Sequence, residues 1–221
     1  MVPIFDLDDT LYPETTYVES GFLAVARKLH EDHGWPIINS MNQMIYFLSA
    51  DGRGKVFNQL LEMHKCDTKK NVQLCLATYR QHNPSLNLNN DADRILKFFK
   101  NRAYLVTDGH KLVQLNKIRA LGLEARFQKI FITHRYGLKH AKPSIHCFDL
   151  IRKIEKCSWK DMFYVGDNPS KDFVNLNPLG VHTIRILTGE YSHVIAKLGY
   201  DAKYSINSLD ELPDLLKEIM P

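Results

Sequence analysis

From about residue 103 onward, short runs of apolar, β-prone residues alternate with longer runs of helical periodicity. Strands are predicted at 103–106, 129–133, 162–165 and 181–186, with an edge strand at 204–206, and helices at 112–121, 144–154, 170–176 and 209–219. Strands that alternate with helices are joined by crossover connections, which make the sheet parallel. The alternation therefore predicts an α/β fold and places any ligand beyond the carboxyl ends of the strands.

A further strand, at the N-terminus, runs directly into a cluster of acids. Ile4-Phe5 is followed by Asp6-Leu7-Asp8-Asp9-Thr10. Alternate side chains of an extended segment share a face, so Asp6 and Asp8 are expected to point the same way. Two carboxylates aimed at one point repel each other unless they share a proton or bind a cation, and an oxygen-only cluster suits Mg²⁺. For this stretch alone, the alternative is a solvated strand end in which Asp9 or Thr10 caps the next turn.

Between the acidic stretch and the alternating region, helical periodicity dominates and strand-like alternation is absent. The first predicted helix ends near 34–36, Ser40 caps a second, a third runs through 56–63, and Thr68 caps a fourth. Helices with such short connections form a compact bundle. A linker at 83–90 and a helix at 92–100 follow. We therefore expect residues 14–100 to form an inserted helical cap, and residues 1–13 with 101–221 to form the α/β core.

Composition excludes several classes of protein. The 221 residues, 44% hydrophobic and 24% charged, are ordinary for a globular protein. We find no apolar run of about 18 residues and no signal-peptide pattern, so a cytoplasmic protein without a membrane partner is expected. Four cysteines without C-x-x-C spacing do not predict a zinc or disulfide framework. The net charge of +4 suits an anionic partner, but no Lys/Arg run favours nucleic acid.

Polar residues also follow the other predicted strands. Thr107-Asp108-Gly109 follows the strand ending at 106, Lys142-Pro143 precedes a helix, and Gly166-Asp167 with Asp172 follows the strand ending at 165. Taken singly, these segments are typical of a simple turn, a surface lysine and a capped loop. Because the carboxyl ends of parallel strands lie along one rim, their joint order favours a single site.

In this order the motifs resemble the haloacid dehalogenase superfamily of phosphohydrolases, subfamily I, with a helical cap of the C1 type. Asp6-Leu7-Asp8-Asp9-Thr10 is similar to the first motif, Thr107 to the second, Lys142 to the third, and Gly166-Asp167 with Asp172 to the fourth. The resemblance spans nearly the whole chain. It implies a Rossmann-like parallel-sheet core with an inserted α-helical bundle cap.

Some details of the motifs resemble a subgroup associated with bacterial surface-polysaccharide and sugar-nucleotide pathways, notably Thr107-Asp108-Gly109-His110 followed by Gln114 and Lys117. The chain departs from the family pattern at Asp108, where Asn is frequent, and at 175–178, where Gly-Ala often follows the last motif. These departures bear on substrate preference more than on chemistry.

The resemblance implies a Mg²⁺-dependent phosphatase of small phosphorylated metabolites, with a sugar phosphate favoured over a nucleotide monophosphate. Asp6 would attack phosphorus to form an aspartyl-phosphate, and Asp8 would protonate the leaving group and then activate water. Mg²⁺ would be held by Asp6, the backbone carbonyl of Asp8 and Asp167. The remaining implied roles are phosphate binding or orientation: Thr107, Asp108 and Lys142 near the phosphoryl group, and Asp172 beside Lys142 or a metal-bound water.

Other functions share parts of this pattern. A phosphomutase has every motif named above. A dehalogenase is disfavoured because a leaving halide needs no proton donor such as Asp8. A phospho-accepting signalling domain of the receiver type also uses acids, Thr and Lys, but it carries its phosphorylated Asp on an internal strand and has no helical insert after the first strand. A catalytically silent scaffold is disfavoured because all four motif positions are present.

Overall fold

A parallel sheet forms the centre of the α/β unit. The computed structural model describes residues 1–219, and within them six strands pair: β1 (Val2–Phe5), β2 (Tyr104–Thr107), β3 (Lys129–Ile132), β4 (Met162–Gly166), β5 (His182–Ile186) and β6 (Tyr204–Ile206). Their order is β3-β2-β1-β4-β5-β6, and every neighbouring pair is parallel. This is the strand order of a Rossmann-like sheet, so the predicted fold class is confirmed.

Helices connect the strands and form the insert after β1. They are α1 (Glu14–His33), α2 (Ile37–Asp51), α3 (Val56–Met63), α4 (Lys69–Gln81), α5 (Asn90–Phe98), α6 (Lys111–Ala120), α7 (His146–Glu155) and α8 (Leu212–Ile219). Thr68 caps α4 as predicted, because its hydroxyl accepts the Asn71 N–H at 3.2 Å. Within the described residues, no helix has the length and apolar character that crossing a bilayer would demand.

Two local predictions were wrong. Ser40 does not cap α2, since that helix begins at Ile37 after Pro36 and Ser40 is buried within its first turns. The predicted helix at 170–176 is absent from the described chain, where this segment forms turns. The Asp172 side chain accepts the Asn168 N–H at 3.0 Å and the Asn168 carbonyl accepts the Asp172 N–H at 3.0 Å, which closes the loop on itself. Side-chain hydrogen bonds of this kind compete with helix formation.

The chain divides into two compact units, residues 1–14 with 86–221 and residues 15–85. Residues 86–100, assigned to the insert from the sequence, therefore group with the sheet. The Phe99 ring lies 5.9 Å from that of Phe5 and 5.7 Å from that of Phe163. Arg94 on α5 donates to Asp210 at 2.9 and 2.5 Å. α5 thus covers one face of the sheet.

The opposite face of the sheet packs against α7. Ile4, Tyr104 and Tyr164 belong to one buried cluster with Phe148 and Ile151 of α7. Burying both faces is what a parallel sheet requires, because neither face then meets water.

The helical unit has an apolar core of its own. Its buried members come from α1 to α4: Val18, Phe22, Val25, Ala26, Leu29, Met44, Val56, Phe57, Leu60, Leu61 and Cys75. α1 and α3 contribute residues at helical spacing, while α2 and α4 contribute Met44 and Cys75.

Candidate active site

The carboxyl rim of the sheet carries the acidic stretch. The Asp6 N–H donates to the Val165 carbonyl at 2.8 Å, which continues the pairing of β1 with β4 by one residue. The chain then turns, since the Leu11 N–H donates to the Leu7 carbonyl at 3.0 Å. Because β1 lies in the middle of the sheet, this turn brings Asp6 to the centre of the rim.

Lys142 lies beside Asp6 and connects it to Asp172. Its Nζ is 2.8 Å from Asp6 Oδ1, 2.9 Å from Asp172 Oδ1 and 2.6 Å from the Tyr164 hydroxyl. The Tyr164 hydroxyl in turn donates to Asp172 Oδ1 at 3.1 Å. Burial lowers the pKa of Lys142, but the charges of Asp172 and Asp6 outweigh burial and hold that pKa above its ordinary value. Lys142 is therefore a buried cation fixed next to the Asp6 carboxylate.

Asp6, Asp167 and Asp172 form a buried carboxylate cluster in which one oxygen of each lies within 4.8 Å of the others. Burial raises the pKa of Asp6 to about 7 and, together with the charges of Asp6 and Asp172, raises the pKa of Asp167 to about 9. Gly166 is required here because a Cβ at that position would lie 2.7 Å from Asp172 Oδ2. Crowded carboxylates whose charged forms are destabilised are the donor set of a hard divalent cation, so these residues fit Mg²⁺.

Asp8 is held by a different set of groups. Its Oδ1 accepts from the Tyr12 hydroxyl at 2.6 Å and from Lys117 Nζ at 2.7 Å, and its Oδ2 accepts from Gln114 Nε2 at 2.7 Å. Lys117 Nζ also donates to Glu14 Oε1 at 2.9 Å. Burial lowers the pKa of Lys117, but the charges of Asp8 and Glu14 outweigh burial and hold that pKa above its ordinary value.

The expectation that Asp6 and Asp8 turn toward one pocket stays a prediction: their carboxylates have different partners, yet the charge of Asp8 is one of the causes that raise the pKa of Asp6. β1 ends at Phe5, so the period of two does not extend through Asp8. The Asp6 carboxylate joins Lys142, and the Asp8 carboxylate joins Lys117. The two acids are thus separated chemically, one beside the carboxylate cluster and one beside hydrogen-bond donors.

Thr107 and Asp108 follow β2 on the same rim. Thr107 is fully buried, and its Oγ1 accepts from Gln114 Nε2 at 2.5 Å. Asp108 Oδ1 accepts from the Thr133 hydroxyl and from the Lys142 backbone N–H at 3.0 Å. Burial raises the pKa of Asp108, but the Thr133 hydrogen bond and the charge of Lys171 outweigh burial and hold that pKa below its ordinary value. Asp108 thus stays ionised and fixes the backbone that carries Lys142.

Asp9 caps the following helix. Its Oδ1 accepts the Glu14 N–H at 2.8 Å and its Oδ2 accepts the Glu190 N–H at 3.3 Å. The loop after β5 approaches so closely that a Cβ on Gly189 would lie 2.1 Å from Asp9 Cγ, and Gly189 has a φ of +63°. Only glycine tolerates both this close approach and the positive φ. Asp9 is therefore a structural residue of the rim.

Sequence reasoning named the residues of the rim, namely Asp6, Asp8, Thr107, Asp108, Lys142, Asp167 and Asp172. It assigned no role to Gln114, Lys117 or Tyr164. Gln114 and Lys117 are three residues apart on α6 and buried beside Ile118, and a polar pair on the buried face of a helix is the signal that indicates such a role. Tyr164 carries no such signal, because an aromatic residue in a central strand is ordinary core.

Known proteins resemble this chain over nearly its whole length. A family model described as haloacid dehalogenase-like hydrolase matches residues 3–186. A glyceraldehyde 3-phosphate phosphatase of Methanocaldococcus jannaschii is 29% identical over 98% of this chain and 96% of its own. The enzyme of the same name from Pyrococcus furiosus is 25% identical over 98% and 92%. The hydrolase YfnB of Bacillus subtilis, solved with bound magnesium, superposes with a TM-score of 0.67 at 20% identity over 97% of each chain.

Proposed function

The chain belongs to the haloacid dehalogenase-like hydrolases and is a phosphoric monoester hydrolase of that family, and we propose that it dephosphorylates a small sugar phosphate with Mg²⁺ through an aspartyl-phosphate. Glyceraldehyde 3-phosphate is the first candidate substrate, because relatives matched over nearly their whole length carry that activity in their names. The proposed location remains the cytoplasm.

One observation carries the proposal: Asp6 lies between a buried cation and a carboxylate cluster, while Asp8 lies among hydrogen-bond donors. The first environment suits a nucleophile that must approach a phosphate dianion, and the second holds a carboxyl group in a fixed orientation from which it can give and take a proton. A dehalogenase needs the nucleophile and has no use for the proton donor. The presence of Asp8 among these donors therefore favours an ester with an alkoxide leaving group.

Residues of the chain itself carry out each chemical step of the proposed reaction. Asp6 attacks phosphorus while the Lys142 ammonium, 2.8 Å away, offsets negative charge at the reacting centre. The Thr107 hydroxyl lies on the rim to donate to a phosphoryl oxygen. Asp8 protonates the leaving oxygen, and as a carboxylate it then takes a proton from the water that hydrolyses the aspartyl-phosphate. Mg²⁺, held by Asp6, Asp167 and the Asp8 carbonyl, would supply positive charge that orients the phosphoryl group.

The experiment that tests this proposal is a panel of phosphate esters assayed with Mg²⁺. We expect glyceraldehyde 3-phosphate and other small sugar phosphates to exceed nucleotide monophosphates in kcat/KM by at least ~10-fold, a difference of about 1.4 kcal/mol in transition-state stabilisation. Released phosphate is measured together with the organic product. An isomeric phosphate ester in place of free phosphate would identify a phosphomutase, and turnover of 2-haloacids with no ester hydrolysis would contradict the proposal.

We further propose that the helical unit, residues 15–85, sets substrate choice and moves during turnover. It leaves the α/β unit a few residues after Asp8, at Glu14, and its chain returns at Leu86, so short connections can serve as hinges. The magnesium-bound crystal structure of YfnB reveals interdomain movement in that protein. Its own compact core allows this unit to move as a body.

The prediction concerns solvent-exposed residues of the helical unit. Single substitutions there should change the ranking of sugar phosphates by kcat/KM, by up to ~10-fold, while hydrolysis of 4-nitrophenyl phosphate changes by less than ~2-fold. The measurement is kcat/KM for each ester in a series of such variants, with unfolding temperature as the control for integrity. A series in which every ester slows by the same factor would show that the unit gates access without selecting, and the proposal would be dropped.

A further inference from the structure

The clearest feature outside the nucleophile's surroundings is the buried lysine of α6. The Lys117 side chain is 2% exposed, and its ammonium lies between Asp8 Oδ1 at 2.7 Å and Glu14 Oε1 at 2.9 Å. Burying a lysine costs several kcal/mol unless charged partners offset the loss of hydration. A neutral side chain of similar volume would fill the same space at lower cost, so packing alone does not account for an ammonium at this place.

The groups around Asp8 fix both of its oxygens. Oδ1 accepts from Lys117 and Tyr12, and Oδ2 accepts from Gln114, whose amide also donates to Thr107 Oγ1. A carboxylate with partners on each oxygen cannot rotate about its Cβ–Cγ bond without breaking one of them. Gln114 and Lys117 lie one turn apart on α6, so a single rigid helix presents both donors.

Glu14 completes the arrangement from the opposite side. It begins α1, where its backbone N–H is capped by Asp9 Oδ1 at 2.8 Å, and its carboxylate accepts from Lys117. The ammonium is therefore held from two directions and cannot follow Asp8 if the loop after β1 shifts. Because the side chain of Lys117 is fixed in this way, it can in turn fix Asp8.

We propose that Lys117 is a positioning residue, which, anchored by Glu14, holds the Asp8 carboxyl in the orientation for proton transfer to the leaving oxygen. The inference rests on the proposed function of Asp8. As the bond between phosphorus and the leaving oxygen breaks and the bond from Asp6 to phosphorus forms, the proton passes from Asp8 to that oxygen. Asp8 is left as a carboxylate whose oxygens still accept from Lys117 and Gln114.

Dependence on the leaving group distinguishes positioning from a general structural role. The leaving group of an alkyl phosphate such as glycerol 3-phosphate is a strongly basic alkoxide, which needs a proton from Asp8. The leaving group of 4-nitrophenyl phosphate is a stabilised phenolate, which departs without a proton. Since kcat/KM reports the steps up to transfer of the phosphoryl group to Asp6, it isolates the half-reaction in which Asp8 acts as an acid. Loss of positioning should therefore slow the alkyl ester selectively.

The experiment compares Lys117→Met with Lys111→Met in the full-length protein with Mg²⁺. Lys111 is the exposed first residue of the same helix, so its substitution removes the same charge outside the site. We expect Lys117→Met to lower kcat/KM for glycerol 3-phosphate by at least ~100-fold and for 4-nitrophenyl phosphate by less than ~5-fold, the range in which general acid catalysis contributes. Lys111→Met should leave both within ~2-fold of the parent protein. Equal losses on the two esters, or no loss on either, would overturn the inference.

Two further variants keep the test decisive. If Lys117→Met does not fold, Glu14→Gln provides the test, because it retains the lysine and removes its charged anchor. Glu14→Gln should lower kcat/KM for glycerol 3-phosphate selectively, by a smaller factor than Lys117→Met. An equal loss on both esters in Glu14→Gln overturns the inference. Asp8→Asn tests the proposed function separately. If Asp8→Asn spares glycerol 3-phosphate, the proposed role of Asp8 fails, whereas a selective loss in Asp8→Asn without one in Lys117→Met removes the role of Lys117 alone.

Discussion

Asp6→Asn should abolish turnover of every phosphate ester, lowering kcat by at least ~10⁴-fold, the scale seen when a catalytic nucleophile is removed. The amide has the shape of the carboxyl group but cannot form the bond to phosphorus. The fold should survive, because burial already raises the pKa of Asp6 to about 7 and a neutral side chain is tolerated there. Steady-state kinetics with Mg²⁺, and circular dichroism for the fold, provide the measurement.

The matched control is Asp9→Asn, the same change three residues along the chain. Asn retains an acceptor oxygen for the Glu14 N–H, so its activity should stay within ~10-fold of the parent protein. Mass spectrometry of the acid-quenched protein should detect a phosphoryl adduct on the parent and on the control, and not on Asp6→Asn. Near-normal activity of Asp6→Asn would show that catalysis does not pass through a covalent bond to Asp6.

Removal of divalent cations should have the second largest effect. Chelation is expected to lower kcat/KM by at least ~10³-fold, Mg²⁺ to restore it, and Ca²⁺ to inhibit because its coordination is larger and looser. Without a divalent cation, Asp6, Asp167 and Asp172 share a buried space in which the charges of Lys142 and Lys171 offset their own. Full activity in excess chelator would rule out the metal, and an unfolding temperature recorded alongside shows that chelation has not denatured the protein.

The pH dependence of metal binding follows from the raised carboxyl pKa values. Burial raises the pKa of Asp6 to about 7 and of Asp167 to about 9, so folding of the metal-free protein takes up protons. The contribution of Asp6 and Asp167 to the stability of the metal-free protein is fully present below their pKa of about 4 in the unfolded chain. It is lost as pH rises through their folded pKa values of about 7 and about 9. Mg²⁺ would bind the ionised forms and displace these protons, so its apparent affinity should fall by ~10-fold per unit as pH falls from about 8 to about 7, where only Asp167 is protonated, and by up to ~100-fold per unit below about 7, where Asp6 is protonated as well.

Calorimetry in buffers of different ionisation enthalpy measures the protons released on binding. Asp167→Asn should release fewer protons, bind Mg²⁺ more weakly, and be more stable than the parent when both are metal-free at about pH 8. Proton release that does not differ between this variant and the parent would show that Asp167 is not a ligand.

The sequence predicted the sheet because strands and crossover helices have different periods, and β2 to β6 were each placed to within one residue at either end, while β1 begins at Val2, two residues before the predicted Ile4. Prediction from the sequence failed where contacts between distant residues determine the local structure or its place in the fold. α5 has the same helical periodicity whether it covers a sheet or joins a bundle, and contacts between distant residues assign it to the sheet: Phe99 with Phe5 and Phe163, and Arg94 with Asp210. The 170–176 segment has helix-compatible residues, but Asp172 and Asn168 satisfy the backbone locally and the helix does not form.

The same holds for the candidate site: the sequence located its residues but not the contacts between them. Acids and polar residues at strand ends can be located from the chain alone, because a parallel sheet gathers its carboxyl ends on one rim. Which acid meets which cation depends on contacts between distant residues. Lys117 reaches Asp8 from another element of the fold, and nothing in the spacing of either residue indicates that contact. The partners of Asp8 therefore required the structure.

The central position of β1 has a consequence for how the protein is made. Phe5 pairs with Leu105 on one side and Val165 on the other, so about 100 residues must follow β1 before either of its neighbours is synthesised. The helical unit, in contrast, is one uninterrupted segment with its own core and can fold as soon as it emerges. Pairings so distant along the chain form slowly, which predicts that ribosome-bound chains fold the insert first and assemble the catalytic centre last.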